Sequence, residues 1–530
     1  MVSGKVTAQE DGSALPGVNV VLKGTSTGVV TDFDGNYQLS VPATGGTLIF
    51  SFIGFATQEI AIGQRAVIDV QLGMDVQQLT EVVVTAQGIE RERKALGYAS
   101  TTISANDIAD KPEPDLARAL QGRTPGLQIL NSSGIAGSGS KINIRGISSV
   151  SGNTQPLWVV DGVPINTGNN DSNKDYRDGQ IGPNRFFDLD PNNVESISIL
   201  RGLSATTLYG SLGRNGVILV TTKTGSQDKN VRKFEASVSQ SLFVTEAILP
   251  EFQNKWGNGY DGDYGEFFSN WGSVFNGQSP VISGGGTPRH PYYEWRNVFP
   301  EFPEFAMASG YIPEAQPHNV SDMFRKGTSS NTSVSLGGSS EFGNLNFAYS
   351  HLDEDGFVEH NNVQRDNFSL GGNATLTDKF RISSTFNYVR SEFASPPTGA
   401  GGGNNSFGGP SIFANLYFTP RNLDITHWPY QHPVTGENVY YRNTNGITNP
   451  RWVLNNALQT SLTNRFFSNI NFNYEVTDWL KLSYRLGLDT YGEKQTYQVQ
   501  KGSVGYGSEA ALIGTGLYRT IDVNNTILDH

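Results

Sequence analysis

Residues 470–488, INFNYEVTDWLKLSYRLGL, decide how this chain must be read. Ile470, Phe472, Tyr474 and Val476 alternate with Asn471, Asn473 and Glu475. After Thr477-Asp478-Trp479, the residues Leu480, Leu482, Tyr484, Leu486 and Leu488 alternate with Lys481, Ser483 and Arg485, and Asp489 follows on the polar side. A period of two means two strands, each with one apolar face and one polar, often charged, face. Soluble sandwiches alternate too, but runs of ~10 residues or more match a tilted strand that crosses a bilayer.

Toward the N-terminus the pattern repeats. Leu345, Phe347 and Tyr349 oppose Asn344, Asn346 and Ser350, and Phe380, Ile382, Phe386 and Tyr388 oppose Arg381, Ser383, Thr385 and Asn387. Candidate strands are 234–245, 329–338, 344–354, 365–376, 380–392, 462–476, 480–492 and 511–522. The second, fourth and sixth connections (339–343, 377–379, 477–479) are short, and Thr-Asp recurs at Thr377-Asp378. The other connections are longer. Short turns on one rim and long loops on the other is the asymmetry of outer-membrane barrels. Residues 229–530 are therefore expected to form part of a large antiparallel transmembrane β-barrel. Eight strands close too narrow a bore to hold a domain of ~130 residues, so a truncated barrel with further strands beyond His530 is expected.

Composition agrees with a mainly β protein. Of 530 residues, 61 are Gly, 11% are aromatic and only 17% are charged, so short alternating runs with turn residues dominate. The net charge of −12 and the lack of a basic tract leave nucleic acid without support as a partner. Cysteine is absent, which removes disulfides and thiolate chemistry. No apolar run is long enough for a membrane helix. No signal peptide is visible, and the chain reads as clipped at both ends. No catalytic constellation, cofactor motif or metal-ligand spacing occurs, so an enzyme is not expected, and neither cofactor nor metal is.

Residues 1–75 read as seven short strands punctuated by Leu15-Pro16-Gly17, Asp34-Gly35 and Gly45-Gly46, a small antiparallel β-sandwich. Asp32 and Asp34 lie in a turn whose flanks are strands and which lacks the downstream Glu of a helix–loop calcium site, so a turn is preferred to a metal site. GKV, LPGVNVVLKGTSTGVVTDFDGNYQLSVP and LIFSFIGF resemble the carboxypeptidase-regulatory-like domain.

Residues 97–228 mix helix and strand signals. Short helices are expected at 106–109, 114–121 and 204–209, where Ser204 reads as an N-cap rather than a nucleophile. Strands are expected at 127–130, 141–144, 156–160, 194–200 and 216–222. ALQGRTPGLQI, INIRGISSV, PLWVVDGVPI and LDPNNVESISILRGLSATTLYGSLGRNGVILVTTKTG resemble, in family order, the α+β plug domain of TonB-dependent receptors. Arg145-Gly146, Asp161-Gly162 and Arg201-Gly202 each set a charge beside a residue that permits tight turns or close backbone approach. A plug that fills a polar lumen and must also shift needs hydrogen bonds and ion pairs with the wall rather than an apolar contact.

Between these regions, residues 76–96 contain LTEVVVTAQG (79–88). Its Val82-Val83-Val84 run is β-prone, and as an unpaired edge strand it would recruit a partner. Residues 89–94 are expected to be a mobile linker. The stretch resembles the TonB box of the SusC-like branch (SusC/RagA) of TonB-dependent outer-membrane transporters. That resemblance assigns Thr80, Glu81, Val82, Val83, Val84, Thr85 and Ala86 to β-augmentation by TonB.

The resemblance also implies TonB with ExbB and ExbD, a SusD-like surface lipoprotein, outer-membrane lipid, and an oligosaccharide or, less often, a peptide as substrate. The rivals are a receptor for an iron chelate or cofactor without a lid, and a surface adhesin or signalling receptor. In the loop 247–328, Trp256, Tyr260, Tyr264 and Trp271 are candidate ligand or lid contacts, with loop packing as the plainer reading. Asp261 and Asp263 read as a solvated turn more readily than as a calcium site.

Overall fold

A computed structural model describes the chain except residues 10–11, 24, 26, 42–45, 53–54, 64, 74–81, 85–89, 93–99, 110–112, 132, 148, 150–153, 169–181, 202–206, 225–233, 268, 399–410, 443–447, 478 and 503–515. It has two compact units, Met1–Gly97 and Tyr98–His530.

The first unit contains β1 (Val2–Ala8), β2 (Asn19–Leu22), β3 (Gly28–Val30), β4 (Asn36–Leu39), β5 (Thr47–Ser51), β6 (Gln58–Ala61) and β7 (Val70–Leu72). They form two sheets, β4-β1-β7 and β3-β2-β5-β6. Alternate side chains, among them Val6, Val20, Leu48, Phe50 and Leu72, fill one core. The sandwich is not wholly antiparallel as expected. The chain crosses from one sheet to the other between β6 and β7, and such a crossover lays β7 parallel to β1. Asp32 Oδ1 accepts from the backbone N–H groups of Asp34 and Asn36 at 3.0 and 2.8 Å, so this carboxylate is spent on its turn.

Further on, β8 (Val82–Val84) pairs antiparallel with β9 (Glu90–Glu92), Val83 opposite Arg91. This corrects two expectations. The Val-rich run has a local partner, and 90–92 is strand rather than free linker. An extended segment with unpaired backbone groups takes the nearest extended neighbour.

The second unit begins with a globule of β10 (Ser100–Ser104), α1 (Ala105–Ala109), α2 (Leu116–Ala119), β11 (Leu127–Asn131), β12 (Ser140–Ile144), β13 (Leu157–Val160), β14 (Val163–Ile165), β15 (Val194–Leu200) and β16 (Val217–Thr222). Its main sheet has the order β10-β15-β16-β13-β14. Central β16 is buried on both faces, as its continuous VILV run requires. Leu116 and Leu120 pack with Ile129, Trp158, Ile197 and Ile218 in one core. Asp115 caps α2 by accepting from Ala117 N at 2.9 Å. The helix expected at 204–209 is instead a 3₁₀ segment, Thr207–Asn215, interrupted at Gly210 (φ +58°); Ser204 lies outside the described residues.

The wall follows: β17 (Phe234–Thr245), then, beyond the small loop strands β18 (Gly259–Tyr260) and β19 (Asp263–Tyr264), β20 (Gly327–Ser340), β21 (Gly343–Asp355), β22 (Asn362–Thr377), β23 (Phe380–Ser395), β24 (Ala457–Thr477), β25 (Leu480–Val499) and β26 (Leu517–Asp529). The eight long strands pair in chain order as one antiparallel sheet with β17 and β26 at its edges. The first seven overlap their expected spans, although β24 begins at 457 rather than 462 and β25 ends at 499 rather than 492. The last begins at Leu517, later than the expected 511. The turns after β20, β22 and β24 are short, and β22 and β24 each end in the same register slip beside the Thr-Asp turn.

The wall is inside out relative to a soluble protein. Its buried face carries Asn346, Arg365, Asn387, Thr463, Arg465 and Asp489, while Leu345, Phe347, Phe368, Leu482, Tyr484 and Leu486 are exposed on the other face. On β25 the apolar outward run from Leu480 to Leu488 spans ~27 Å, or ~21 Å along the normal at a ~40° tilt, against the ~25 Å belt of outer-membrane barrels. Phe342 and Trp479, the latter 83% exposed, sit at the short turns. At the opposite margin Tyr349, Phe368, Tyr388 and Phe466 stand in one cross-strand row, with ring centroids 4.8 Å apart for Tyr349–Phe368. Such aromatic girdles mark both membrane interfaces. The next outward row is polar: His351, Asp366, Arg390 and Asn464.

Candidate functional site: the globule–wall interface and the loop cap

Asp161 and Gly162 form the two-residue turn between β13 and β14, both left-handed (φ +49° and +88°). This is the Asp-Gly hairpin whose twist suits its flanking strands. The turn is also a docking point. Asp161 accepts from Thr222 N (2.8 Å) and Thr222 Oγ1 (2.6 Å) within the globule and from Thr385 Oγ1 (3.0 Å) on β23. Its carbonyl accepts from Asn469 Nδ2 on β24 at 3.2 Å. Burial pushes the Asp161 carboxyl pKa up, and the hydrogen bonds from Thr222 and Thr385 oppose that rise. A Cβ on Gly162 would lie 2.5 Å from the Arg485 guanidinium, and one on Gly487 would lie 2.4 Å from a Val163 methyl. Turn and wall therefore meet at backbone distance.

The stronger contacts are ionic. Arg465 on β24 reaches Asp489 on β25 with Nε–Oδ1 2.8 Å and Nη2–Oδ2 2.9 Å. It also reaches Asp188 of the globule (3.1 Å) and the carbonyls of Arg185 (2.7 Å) and Asn166 (2.8 Å). Arg185 in turn bonds Thr463 and lies 3.8 Å from Glu493. Arg365 on β22 donates to the carbonyls of Phe187 and Pro114 and packs over the Phe187 ring. Asn193 Nδ2 donates to Asn387 Oδ1 (3.2 Å). Buried charges stay charged only when paired and hydrogen-bonded in this way.

Of the three charge–glycine pairs read from sequence, Asp161-Gly162 is the one that meets the wall among the described residues. Arg201 donates within the globule, to Pro125 O (2.7 Å) and Thr101 Oγ1 (2.6 Å). Arg145 (φ +59°) and Gly146 (φ +98°) form an exposed turn after β12. Gly202 lies outside the described residues. The sequence reading missed Arg185, Asp188, Arg365 and Arg465. For Arg365 and Arg465 the available signal was charge on the inward parity of a barrel strand; Arg185 and Asp188 lie in a 3₁₀ segment of the globule and carried none.

The long loops fold into a cap. Residues of the loop after β17 pack with those between β23 and β24, where α3 (Ile412–Tyr417) and α4 (Pro450–Asn456) lie. Arg421 ties the two loops through Asn254 Oδ1 (3.0 Å), Pro317 O (2.7 Å) and Asn319. Ile135 of the globule is part of this core. Beside it Asn361 accepts from Ala136 N (2.8 Å) and donates to Ala136 O (3.1 Å) and Ala394 O (3.2 Å). His290 is buried against Tyr292, Phe305, Tyr311 and Trp428. Its Nδ1 accepts from Tyr292 N (3.1 Å), and burial pulls its pKa down to about 4.

The four loop aromatics separate. Tyr260 and Trp271 are more than half exposed with their rings 5.2 Å apart, and Trp256 is 39% exposed. Tyr264 is half-buried against Tyr311. Asp261 and Gly262 turn between β18 and β19, both left-handed, and Asp263 accepts from Ser283 N (3.1 Å). Among the described residues no cluster of ligating side chains could hold a metal ion. Of the Val-rich box, Thr80, Glu81, Thr85 and Ala86 lie outside the described residues; Val82, Val83 and Val84 form β8.

Residues 92–217 match the TonB-dependent Receptor Plug Domain family and residues 2–84 the CarboxypepD_reg-like domain family. TonB-dependent receptor P26 of Formosa agariphila is 30% identical over 73% of this chain and 34% of its own length. TonB-dependent receptor SusC of Bacteroides thetaiotaomicron is 27% identical over 88% of this chain and 42% of its own length. The chain thus spans well under half the length of these relatives. Its fold is similar to the structure of the RagAB peptide importer in the 'open-open' state, with TM-score 0.59, 17% identity, and coverage of 84% of this chain and 46% of that one.

Proposed function

Because the chain belongs to the SusC-like TonB-dependent receptors, we propose that the protein it comes from imports a nutrient across the outer membrane of a Bacteroidota-like bacterium. The observation that carries this reading is the globule seated by ion pairs on the polar face of a wall whose other face is a lipid-sized apolar belt. A soluble receptor has no use for such a belt, and an adhesin has no use for a stopper. No bond in the nutrient is broken; the work comes from the inner-membrane proton gradient through TonB, ExbB and ExbD.

TonB adds a strand at Thr80–Ala86 and pulls on the chain leading into the plug. Since β8 has one edge on β9, TonB either uses the free edge or displaces β9. A SusD-like lipoprotein closes over the loops, with Trp256, Tyr260 and Trp271 as contacts for ligand or lid. An oligosaccharide is the first substrate class and a peptide the second, the latter favoured by the similarity to a peptide importer.

The test is deletion of residues 79–86 in the full-length receptor. Uptake is expected to stop while outer-membrane level and ligand binding persist. Unchanged uptake would refute the role of the box. A neighbouring lid-lipoprotein gene would separate this reading from an iron-chelate receptor.

A further inference from the structure

Two sides of the wall differ in chemistry. Each plug–wall hydrogen bond and ion pair named above ends on β22, β23, β24, β25 or on Asn361. None ends on β17, β20 or β21. Those three strands contain no Lys or Arg. Most of their inward positions are small and neutral, with Ser237, Ser239 and Ser241 on β17, Ser333 and Ser335 on β20, and Asn346 on β21; Phe243 and Leu352 are the large apolar exceptions, Leu352 packing with Ala136 and Phe187 of the globule. The ionisable inward residues, Glu235 and Glu354, stand at opposite ends of the face.

A second observation points to a ligand. Ser329, Asn331 and Asn346 are each 5% exposed, and Ser329 Oγ, Asn331 Oδ1 and Asn346 Nδ2 are buried without a hydrogen-bond partner. Buried polar groups are normally satisfied. These are a hydroxyl, an acceptor and a donor, and a hydroxyl group of a passing solute can satisfy each of them. An anion entering the same face would lose water and find no counter-charge on these strands, and a cation would find one only at the two ends, at Glu235 and Glu354.

We propose that the inner faces of β17, β20 and β21 are the passage along which the solute moves, and that they select a neutral, hydroxyl-rich chain such as a glycan. This rests on the import reading above. When the plug is pulled, its ion-paired side stays on β22–β25 and acts as the hinge, because opening there breaks the buried pairs and opening opposite breaks none of them.

These 530 residues contain no cysteine, which suits a thiol-labelling test in cells on the full-length receptor with any cysteine outside them replaced by serine. Single cysteines replace Ser333 and Ser335, with Ser237→Cys and Ser239→Cys as a second pair should the first fail to assemble. Ser383→Cys and Asn471→Cys report the hinge side. The probes are a neutral glucose–maleimide and a charged maleimide of similar size, with rates normalised to free cysteine. Passage-side cysteines are expected to react at least tenfold faster in energised cells than when residues 79–86 are deleted, and at least fivefold faster with the neutral probe; the hinge-side rates change less than twofold. Acceleration at Ser383→Cys and Asn471→Cys alone overturns the passage and leaves import standing. Equal rates for the two probes overturn the neutral selection. No acceleration at any position overturns the import reading itself.

Discussion

Arg465 and Asp489 stand 24 residues apart in the chain and meet diagonally across the β24–β25 ladder in a two-pronged pair, both side chains wholly buried. The pair joins two wall strands, and the guanidinium also holds Asp188 and two plug carbonyls. Removing one partner of a buried pair leaves an uncompensated charge, at a cost of about 3–5 kcal/mol. Asp489→Asn in the full-length receptor is expected to loosen the plug and raise outer-membrane leakage of a large chromogenic solute. Arg465→Met combined with Asp489→Leu, which leaves no orphan charge on the wall, is expected to leak less than Asp489→Asn. Equal tightness of Asp489→Asn and the parent would show that the pair does not seat the plug.

The Asp161-Gly162 turn should be intolerant in a graded way. Asparagine tolerates the left-handed conformation and keeps one acceptor. Alanine keeps neither, and about 2–4 kcal/mol of plug stability is expected to go with it. Thermal melts of the purified receptor should rank parent, Asp161→Asn and Asp161→Ala in falling order, with Gly162→Val lowest because its side chain meets Arg485.

His290 gives the cap a pH dependence. Its folded pKa, about 4, lies below the unfolded value near 6.5, so the unfolded cap binds the proton more tightly. The contribution is present in full above about pH 6.5 and is lost as pH falls toward about 4, a span worth of order 3 kcal/mol. Hydrogen exchange in residues 288–311 should accelerate over that window, and His290→Phe should flatten the slope. A slope unchanged in His290→Phe would assign it elsewhere.

Asn361 links the plug to the cap's edge through Ala136 and Ala394. Asn361→Leu is expected to lower the melting temperature by several degrees and to weaken ligand-dependent protection of residues 133–138 in exchange experiments. Loss of stability alone, with that protection intact, would mean the contact is a brace and carries no signal.

Among the loop aromatics, Tyr260→Ala and Trp271→Ala should reduce lid or ligand binding at least fivefold while leaving proteolysis of the loop unchanged. Tyr264→Ala should do the reverse, since its ring packs inward. Loss of binding only with Tyr264→Ala would move the contact surface away from the exposed pair.

What could be read from sequence tracks where the two faces of a strand differ. β15 falls at 194–200 as expected, because Val194, Ile197 and Ile199 alternate with polar residues. β24 and β25 run on to 457 and 499, past the expected 462 and 492. Beyond the lipid belt their outward positions become Thr460, Thr490, Lys494 and Thr496, and a strand polar on both sides leaves no period to count. β26 was displaced for the same reason, with Thr520, Asp522, Asn524 and Thr526 facing out. The charge network was illegible because Arg185 and Arg465 are 280 residues apart and only closure of the fold brings them together. His290 carried no signal, since of its ring partners only Tyr292 is near in sequence, while Phe305, Tyr311 and Trp428 come from farther along two loops.

The polar extension of β25 from Thr490 to Val499 rises ~25 Å above the upper aromatic row at a ~40° tilt. The wall is thus a palisade that lifts its loops clear of the leaflet. A lipid-tethered companion that reaches those loops needs a leash of about eight or more extended residues at ~3.3 Å each. A shorter one would pin the companion against the palisade's flank, so trimming the leash residue by residue should end docking at a definite length rather than weaken it gradually.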